Sequence, residues 1–276
     1  MGETDQLAET IEEIWERSPA ALDDGERRAI AEAMALVDGG KIRCADITDG
    51  RWTVNSWVKK ALDLYFRSSQ PTLEYEAGPL QFRDRFPLKG GLEQAQIRVA
   101  PPAVARYGSF FSPGVTLMSC YVHLGVWVGA GSLIDSWVSL GTCAQIGERV
   151  KILPSTSIVG SLYPIEARPA VIEDDCQIGS GCVVGPGTRI RRGAILAAGV
   201  NITSTTPVVD AIGPSAEPLG GEVPENAIVI PGSIAAPSSA PSVVGVAAAL
   251  VIGYRNPGMT ANQNLEMAAR QFRLSM

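Results

Sequence analysis

Large apolar residues recur at every sixth position over much of the chain, and this period constrains the fold more than any other feature. A helix would need a period near 3.6 and an ordinary strand a period of 2. A period of six predicts the hexapeptide repeat of a parallel β-helix, in which three hexads form one triangular coil. Only Thr116 breaks the pattern. The sites are Val104, Phe110, Thr116, Val122, Val128, Ile134, Leu140, Ile146, Ile152 and Ile158, then Ile172, Ile178, Val184, Ile190, Leu196 and Ile202.

Small or β-branched residues follow most of these sites at an offset of four, among them Ser132, Ala144, Cys176, Cys182 and Thr188. We expect them to pack beside the stacked aliphatic residues inside the coil. Because the two cysteines share this position with serine, alanine and threonine, we interpret them as reduced packing residues. The five cysteines of the chain also lack CxxC spacing, so no metal site is expected.

The hexads divide the chain into three predicted segments: a helical N-terminal domain over 1–97, a β-helix over 98–235 and a strand-and-helix tail over 236–276. Two excursions interrupt the coil. The first spans the fourteen residues from Ile158 to Ile172, which we interpret as two hexads with two extra residues. The second runs from Ile202 to Val223 and is rich in Pro, Gly and Asp. A long excursion in a solenoid with short turns is typical of a functional loop.

Charge and hydropathy narrow the class of protein. The net charge of −6 argues against a nucleic-acid partner, which would require a basic surface. The longest apolar run, Val243–Ile252, is too short to cross a membrane, and the polar start lacks the apolar core of a signal peptide. We therefore expect a cytoplasmic protein. The flat sides of a β-helix usually pack against copies of themselves, which predicts a homotrimer.

Several longer segments resemble the tetrahydrodipicolinate N-succinyltransferase family, in the same order and at nearly the same spacing. They cover most of the chain and are more specific than the hexads alone. The matching segments are Trp57–Ala61, Ile97–Pro102, Met118–Gly125, Ile134–Trp137, Leu140–Gly147 and Pro169–Gly179.

The resemblance implies a left-handed β-helix trimer that transfers an acyl group from a CoA thioester. The acceptor would be the amine of L-2-amino-6-oxopimelate, the open form of tetrahydrodipicolinate, in the lysine and diaminopimelate pathway. The resemblance also implies that acceptor and acyl-CoA meet in a groove between neighbouring subunits.

Aminolysis of a thioester needs a proton acceptor but no nucleophilic side chain. Asp135 follows the stacked Ile134, where comparable hexads have a small residue, and it matches the family's catalytic aspartate. The resemblance thus implies that Asp135 binds the substrate amine and accepts its proton. The structural alternative is a corner aspartate that binds turn amides.

Arg98 matches the family's substrate-binding arginine and could hold a carboxylate of the acceptor through two hydrogen bonds. The structural alternative is that Arg98 is a surface arginine where the N-terminal domain meets the β-helix. His123, the only histidine, would be the base if the protein were instead an O-acyltransferase acting on a sugar or serine. The family pattern has asparagine at this position, which favours the alternative that the imidazole of His123 packs against the side of the β-helix.

Contacts to acyl-CoA are implied by family position only. Gly179, Ala197 and Ala198 are small enough for close approach of the pantetheine arm. Arg255 is a candidate phosphate contact.

The chain departs from the family at two positions after Ile178. The family's second catalytic carboxylate falls on Val183, and the preceding arginine falls on Gly181. Valine cannot relay a proton. Either Asp135 acts without that partner or the acyl donor or acceptor has changed, with acetyl as well as succinyl as candidate donors. A divergent paralogue such as the acyltransferase of tabtoxin biosynthesis would fit this departure.

Overall fold

The computed structural model describes residues 2–48, 51–69, 73–77, 80–213, 220–235 and 245–272, with only the backbone described for 73–77 and 80–82. The sequence predicts a hairpin turn at Asp49-Gly50. This turn and the start of the apolar run at Val243 lie outside the described residues.

Three helices and two β-hairpins form the N-terminal part of the chain, which we call the head, in agreement with the predicted helical domain. Asp23 begins the second helix, because its side chain accepts a hydrogen bond from the amide of Glu26 at 2.8 Å. Ile11, Ile30 and Ala61 pack together in the core between the helices. The elements are α1 Glu3–Arg17, α2 Asp24–Asp38, β1 Ala45–Thr48, β2 Arg51–Val54, α3 Ser56–Ser68, β3 Leu73–Ala77 and β4 Leu80–Asp84.

The solenoid consists of two-residue strands that stack in parallel on three faces, so the predicted β-helix is confirmed. The strands are β5 Arg98–Val99, β6 Val104–Ala105, β7 Phe110–Phe111, β8 Thr116–Leu117, β9 Tyr121–Val122, β10 Trp127–Val128, β11 Leu133–Ile134, β12 Ser139–Leu140, β13 Gln145–Ile146, β14 Lys151–Ile152, β15 Ser157–Ile158, β16 Val171–Ile172, β17 Gln177–Ile178, β18 Val183–Val184, β19 Arg189–Ile190, β20 Ile195–Leu196, β21 Asn201–Ile202, β22 Val208–Asp210, β23 Glu222–Val223, β24 Ala227–Ala235 and β25 Gly245–Tyr254.

We name the faces by what covers them. The hairpin face has the order β23-β19-β16-β13-β10-β7, and the third face has the order β21-β18-β15-β12-β9-β6. The tail face has the order β22-β25-β24-β20-β17-β14-β11-β8-β5. The chain passes from the tail face to the third face, then to the hairpin face, and so returns to the tail face.

The predicted interior positions are correct from Val122 onward but wrong for the first three coil sites. There the buried residues are Ala105, Phe111 and Leu117, one position later than predicted. The step from Leu117 to Val122 is five residues long, because one bend is a residue shorter than the others. The apparent exception at Thr116 is thus an outward-facing residue beside a regular interior leucine.

Both excursions leave the third face and return to the hairpin face. The first joins β15 to β16, which are consecutive strands of one coil. It is therefore a single step enlarged by eight residues, and the interpretation as two hexads with two extra residues is wrong. The second joins β21 to β23 and contains β22. The small residues at the offset of four are buried, including Cys176 and Cys182.

The tail adds to one face of the solenoid. Strand β24 continues beyond the last coil and pairs antiparallel with β25. Helix α4, Ala261–Gln271, packs on this sheet, where Ala268 lies against Ile195, Ile228 and Ile252. The tail therefore covers the C-terminal half of the tail face.

The hairpin β1–β2 covers the hairpin face. The guanidinium of Arg43 lies 3.9 Å from the ring centroid of Trp127 and donates to Gln145 Oε1 at 2.9 Å. The indole of Trp52 donates to Glu173 Oε1 at 3.2 Å. Head and solenoid are thus joined by polar contacts between residues far apart in the sequence.

Candidate functional site

The predicted catalytic residue and the small residues predicted to contact CoA lie at one corner of the solenoid, where the chain turns from the tail face to the third face. We call this the Asp135 corner. Each residue follows a tail-face strand, and neighbours in the column are about 4.8 Å apart. The column contains Ala100, Met118, Asp135, Leu153, Gly179 and Ala197.

Asp135 is the carboxylate of this column, and its side chain is half-buried. Its backbone amide donates to the carbonyl of Ile152 at 3.0 Å, which continues the ladder between coils. Its Oδ1 accepts a hydrogen bond from the amide of Ser136 at 2.7 Å, which orients the carboxylate. No hydrogen bond to Oδ2 occurs within the described part of the chain, so this oxygen is open to a ligand. The corner-aspartate alternative thus accounts for one oxygen of the two.

Two cations lie on the tail face on either side of Asp135. Arg98 is exposed on β5, two coils before the coil of Asp135. Lys151 is exposed on β14, directly beside Leu133 in the next coil. Neither has an ion-pair partner among the described residues. Sequence reasoning missed Lys151, although its place before the interior Ile152 could have indicated that it shares a face with Arg98.

The small residues at Gly179 and Ala197 have a packing role within the chain. A Cβ added to Gly179 would lie 2.5 Å from the carbonyl carbon of Ala197 and 2.5 Å from the amide nitrogen of Ala198. Coils of this solenoid approach too closely there for any side chain. Ala198 is exposed and Ala197 half-buried. Gly179 and Ala197 belong to the Asp135 corner, with Ala198 next to Ala197, so these three predicted CoA contacts lie along the same corner as the predicted base.

Arg255 lies at a different corner, between the hairpin face and the tail face. Its Nη1 donates to the backbone carbonyl of Asp175 at 2.7 Å, and its amide donates to the carbonyl of Asn226 at 2.7 Å. The guanidinium therefore binds turn carbonyls of its own chain. Within one chain, the structure does not bring Arg255 together with Gly179.

His123 lies at the remaining corner, between the third face and the hairpin face. Its ring contacts that of Tyr121, with centroids 4.8 Å apart. Burial, followed by the nearby Arg106, lowers the pKa of His123, against a smaller opposing effect of Asp84. Within one chain, the imidazole and Asp135 thus belong to different columns.

Val183, the position at which the resemblance predicts the family's second carboxylate, faces outward on the third face. It pairs with Ser157 on one side and Asn201 on the other.

Trp137 is the most conspicuous apolar side chain near Asp135. It is 71% exposed and has a φ of 61°, in the left-handed region that favours glycine. The corresponding residues two and three coils on are Gly181 and Gly199, which also have positive φ. Ser155, one coil on, has a positive φ as well, so this conformation is regular at the bend, and the exposed indole is what distinguishes Trp137.

Among the described residues, no group of three or more His, Cys, Asp or Glu side chains is arranged to hold a metal ion. None of the helices within the described ranges is both long and apolar enough to span a membrane.

A family of known proteins with hexapeptide repeats matches part of the stacked coils. Residues 169–204 match the bacterial transferase hexapeptide family, with six repeats. The fold and this match define a hexapeptide-repeat transferase.

Residues 6–68 match the N-terminal domain of tetrahydrodipicolinate N-succinyltransferase. The chain is 38% identical to 2,3,4,5-tetrahydropyridine-2,6-dicarboxylate N-succinyltransferase of Polynucleobacter asymbioticus, over 81% of this chain and 85% of that one. It is 36% identical to the protein of that name from Acinetobacter baylyi, over 83% and 86% of the two chains. The chain therefore belongs to the tetrahydrodipicolinate N-succinyltransferase family.

Proposed function

We propose that this protein is a CoA-dependent N-acyltransferase that moves a succinyl or acetyl group to the amine of tetrahydrodipicolinate in its open form, L-2-amino-6-oxopimelate. The observation that carries the proposal is the Asp135 corner, combined with family membership. There an oriented carboxylate shares one column with the small residues Gly179 and Ala197, and the unpaired cations Arg98 and Lys151 lie on either side of it along the tail face. A cytoplasmic location is part of the proposal, because it would give the enzyme access to an acyl-CoA donor.

The chemistry follows from the open oxygen of Asp135. Ser136 holds Oδ1, so Oδ2 is free to bind the ammonium group of the acceptor and to remove its proton. The neutral amine then attacks the thioester carbonyl and forms a tetrahedral oxyanion. Collapse of this intermediate forms the amide bond and expels the CoA thiolate, which takes up the remaining nitrogen proton and leaves as the free thiol, while Asp135 releases its proton to solvent. Asp135 thus acts as a general base without a covalent step.

Arg98 is proposed to bind a carboxylate of the acceptor, because its side chain is exposed and unpaired on the same face. The pantetheine arm of the donor is proposed to run along Ala197 and Ala198 toward Asp135. Arg255, whose Nη1 already binds a backbone carbonyl, would reach a phosphate only through its remaining N–H groups.

A homotrimer is part of the proposal, and Trp137 supports it. An indole that is 71% exposed in one chain would be buried if a second copy packed on the Asp135 corner. The third face also carries small or uncharged outward residues, including Ser139, Ser157 and Val183, which suit close packing. Light scattering should give three times the chain mass of 29.1 kDa, and the trimer should weaken in Trp137→Ser. A monomer at micromolar concentration would contradict this assembly.

The decisive test of function is Asp135→Asn, assayed by release of free CoA thiol with succinyl-CoA and acetyl-CoA. Loss of a general base should lower kcat by about 100- to 10,000-fold. Asp24→Asn, a change at an exposed position on α2, is the matched control and should leave turnover unchanged. Wild-type turnover in the Asp135 variant would remove this residue from the mechanism. Failure of the wild-type protein to consume either thioester would reject the proposed reaction itself.

A further inference from the structure

A cleft of about 360 Å³ lies between the hairpin β1–β2 and the corner at which the third face meets the hairpin face. The Asp135 corner is at the other edge of the third face. Three irregular parts of the chain meet there: the hairpin β1–β2, the end of the first excursion and the end of the second. Loops held by a rigid scaffold are where binding residues concentrate. The volume is within the range of small-molecule sites.

The backbone around the cleft is held by bonds between coils. The amide of Gly187 donates to the carbonyl of Arg168 at 2.8 Å, and the amide of Arg189 donates to the carbonyl of Gly221 at 3.1 Å. These bonds fasten the ends of both excursions to the solenoid. The cleft is therefore built into the fold.

The charge of the cleft is opposite to that of the whole protein. The chain has a net charge of −6, yet the charged residues that line the cleft are Arg51, Arg168, Arg189 and Glu222. Arg51 and Arg168 are exposed, and neither has an ion-pair partner among the described residues. Two unpaired guanidinium groups facing one cavity suit an anionic ligand.

The guanidinium of Arg189 is fixed by an ion pair with Glu173, but not all of its N–H groups are used. Its Nη2 lies 2.6 Å from Glu173 Oε1, which also accepts the indole N–H of Trp52. Its Nη1 lies 3.7 Å from Glu222 Oε1, too far for a hydrogen bond. Glu173 thus fixes the guanidinium while its other edge remains available, and Glu222 is the carboxylate that competes with a ligand.

We infer that this cleft binds a small anion through a carboxylate or phosphate group, with Arg51, Arg168 and Arg189 as the binding residues. The site is separate from the Asp135 corner and does not depend on the proposed reaction. Because its walls include the ends of both excursions, an occupant would fasten these segments to the hairpin. This position suits an effector that stabilises the folded arrangement of head and solenoid.

Isothermal titration of the full chain, without acyl-CoA and at constant ionic strength in chloride, tests the inference. The probes are inorganic phosphate and glutarate, which separate a phosphate ligand from a dicarboxylate. We expect saturable binding of at least one probe. Arg51→Ala and Arg168→Ala should each weaken it by about tenfold or more, since each removes charged hydrogen bonds. Arg28→Ala makes the same charge change on an exposed part of α2 and should bind as the wild type does.

A third variant works in the opposite direction. Glu222→Gln removes the competing carboxylate and should tighten binding by several-fold. An equal affinity in this variant would remove Arg189 from the site and overturn the three-arginine assignment. Absence of saturable binding for both probes, or equal weakening in Arg28→Ala, would overturn the site as a whole. Asp135→Asn should bind the probes normally, so a failure of the reaction and a failure of this site remain distinguishable.

Discussion

Lys59 is a buried cation with a structural task. Its side chain is fully buried, and Nζ donates to the carbonyls of Pro164 at 3.0 Å and Ala167 at 2.8 Å. Burial lowers the pKa of Lys59, because an apolar surrounding disfavours the charged form. The two carbonyls belong to the first excursion, so a single amine from α3 holds that segment against the head.

Replacement of Lys59 by methionine should therefore destabilise the protein. The variant keeps the length of the side chain but leaves the carbonyls of Pro164 and Ala167 with fewer hydrogen-bond partners, at a cost of about 1–3 kcal/mol. The measurement is the free energy of unfolding in urea. Lys41→Met, at an exposed position, is the control and should change it by less than about 0.5 kcal/mol. Equal stabilities of the two variants would mean that water replaces the amine.

Arg98 permits a test at the same scale of how the acceptor is held. If its guanidinium binds a carboxylate of the acceptor, Arg98→Ala should raise the KM for the acceptor by about tenfold or more and change kcat much less. Arg98→Lys should recover part of this loss, because an ammonium keeps the charge but not the paired hydrogen bonds. An unchanged KM in the alanine variant would support the surface-arginine alternative.

At the scale of single elements, the close stacking of coils depends on glycine at particular corners. Gly179→Ala places a Cβ 2.5 Å from backbone atoms of the next coil, which cannot move aside as a flexible side chain could. We expect a loss of about 1–3 kcal/mol or more in the free energy of unfolding. Gly90→Ala meets no atom within 4 Å and is the matched control. A Gly179 variant as stable as this control would show that the coils can separate at this corner.

The repeating elements were largely predictable from sequence, and the places where prediction failed have physical reasons. A stacked interior demands one apolar residue in each strand, so the six-residue period is visible without coordinates. The early register could not be read, because Val104–Ala105 and Phe110–Phe111 are apolar at both positions. The first excursion is one step and not two hexads with two extra residues, and the sequence could not distinguish these, because a period alone does not tell how many faces an insertion crosses.

The candidate site was predictable in part for the same reason. Asp135 and Gly179 follow interior residues of the same face, so their common corner follows from the repeat once the insertion is measured. That the hairpin β1–β2 covers the hairpin face could not be predicted from the sequence. It depends on contacts such as that between Arg43 and Gln145, 102 residues apart, which no local pattern indicates. The cleft formed by both excursions was missed for that reason.

At the scale of the whole molecule, the buried thiols make the free energy of unfolding depend on pH in the alkaline range. Burial raises the pKa of Cys120 and of Cys176 to about 12, from an ordinary value of 9.0. Between these pH values the unfolded chain loses thiol protons that the folded chain keeps. The unfolded state then binds fewer protons, so the free energy of unfolding must fall as the pH rises above about 9.

The corresponding experiment follows the urea midpoint from pH 8 to pH 10.5. The midpoint should fall in the wild type and fall less steeply in a variant with both Cys120→Ala and Cys176→Ala. Other groups that titrate in this range are common to both proteins, so the difference in slope isolates the two thiols. Parallel slopes would show that these thiols keep their ordinary pKa in the folded protein.

The shortened step between Leu117 and Val122 has a consequence for how this architecture tolerates change. In a conventional sheet, loss of one residue turns every following side chain to the wrong side. Here strands are only two residues long, so a single bend absorbs the deletion and the aliphatic column above it continues undisturbed. Chain length is thus adjustable bend by bend, and segments could be trimmed or grafted at one turn while distant turns keep their geometry.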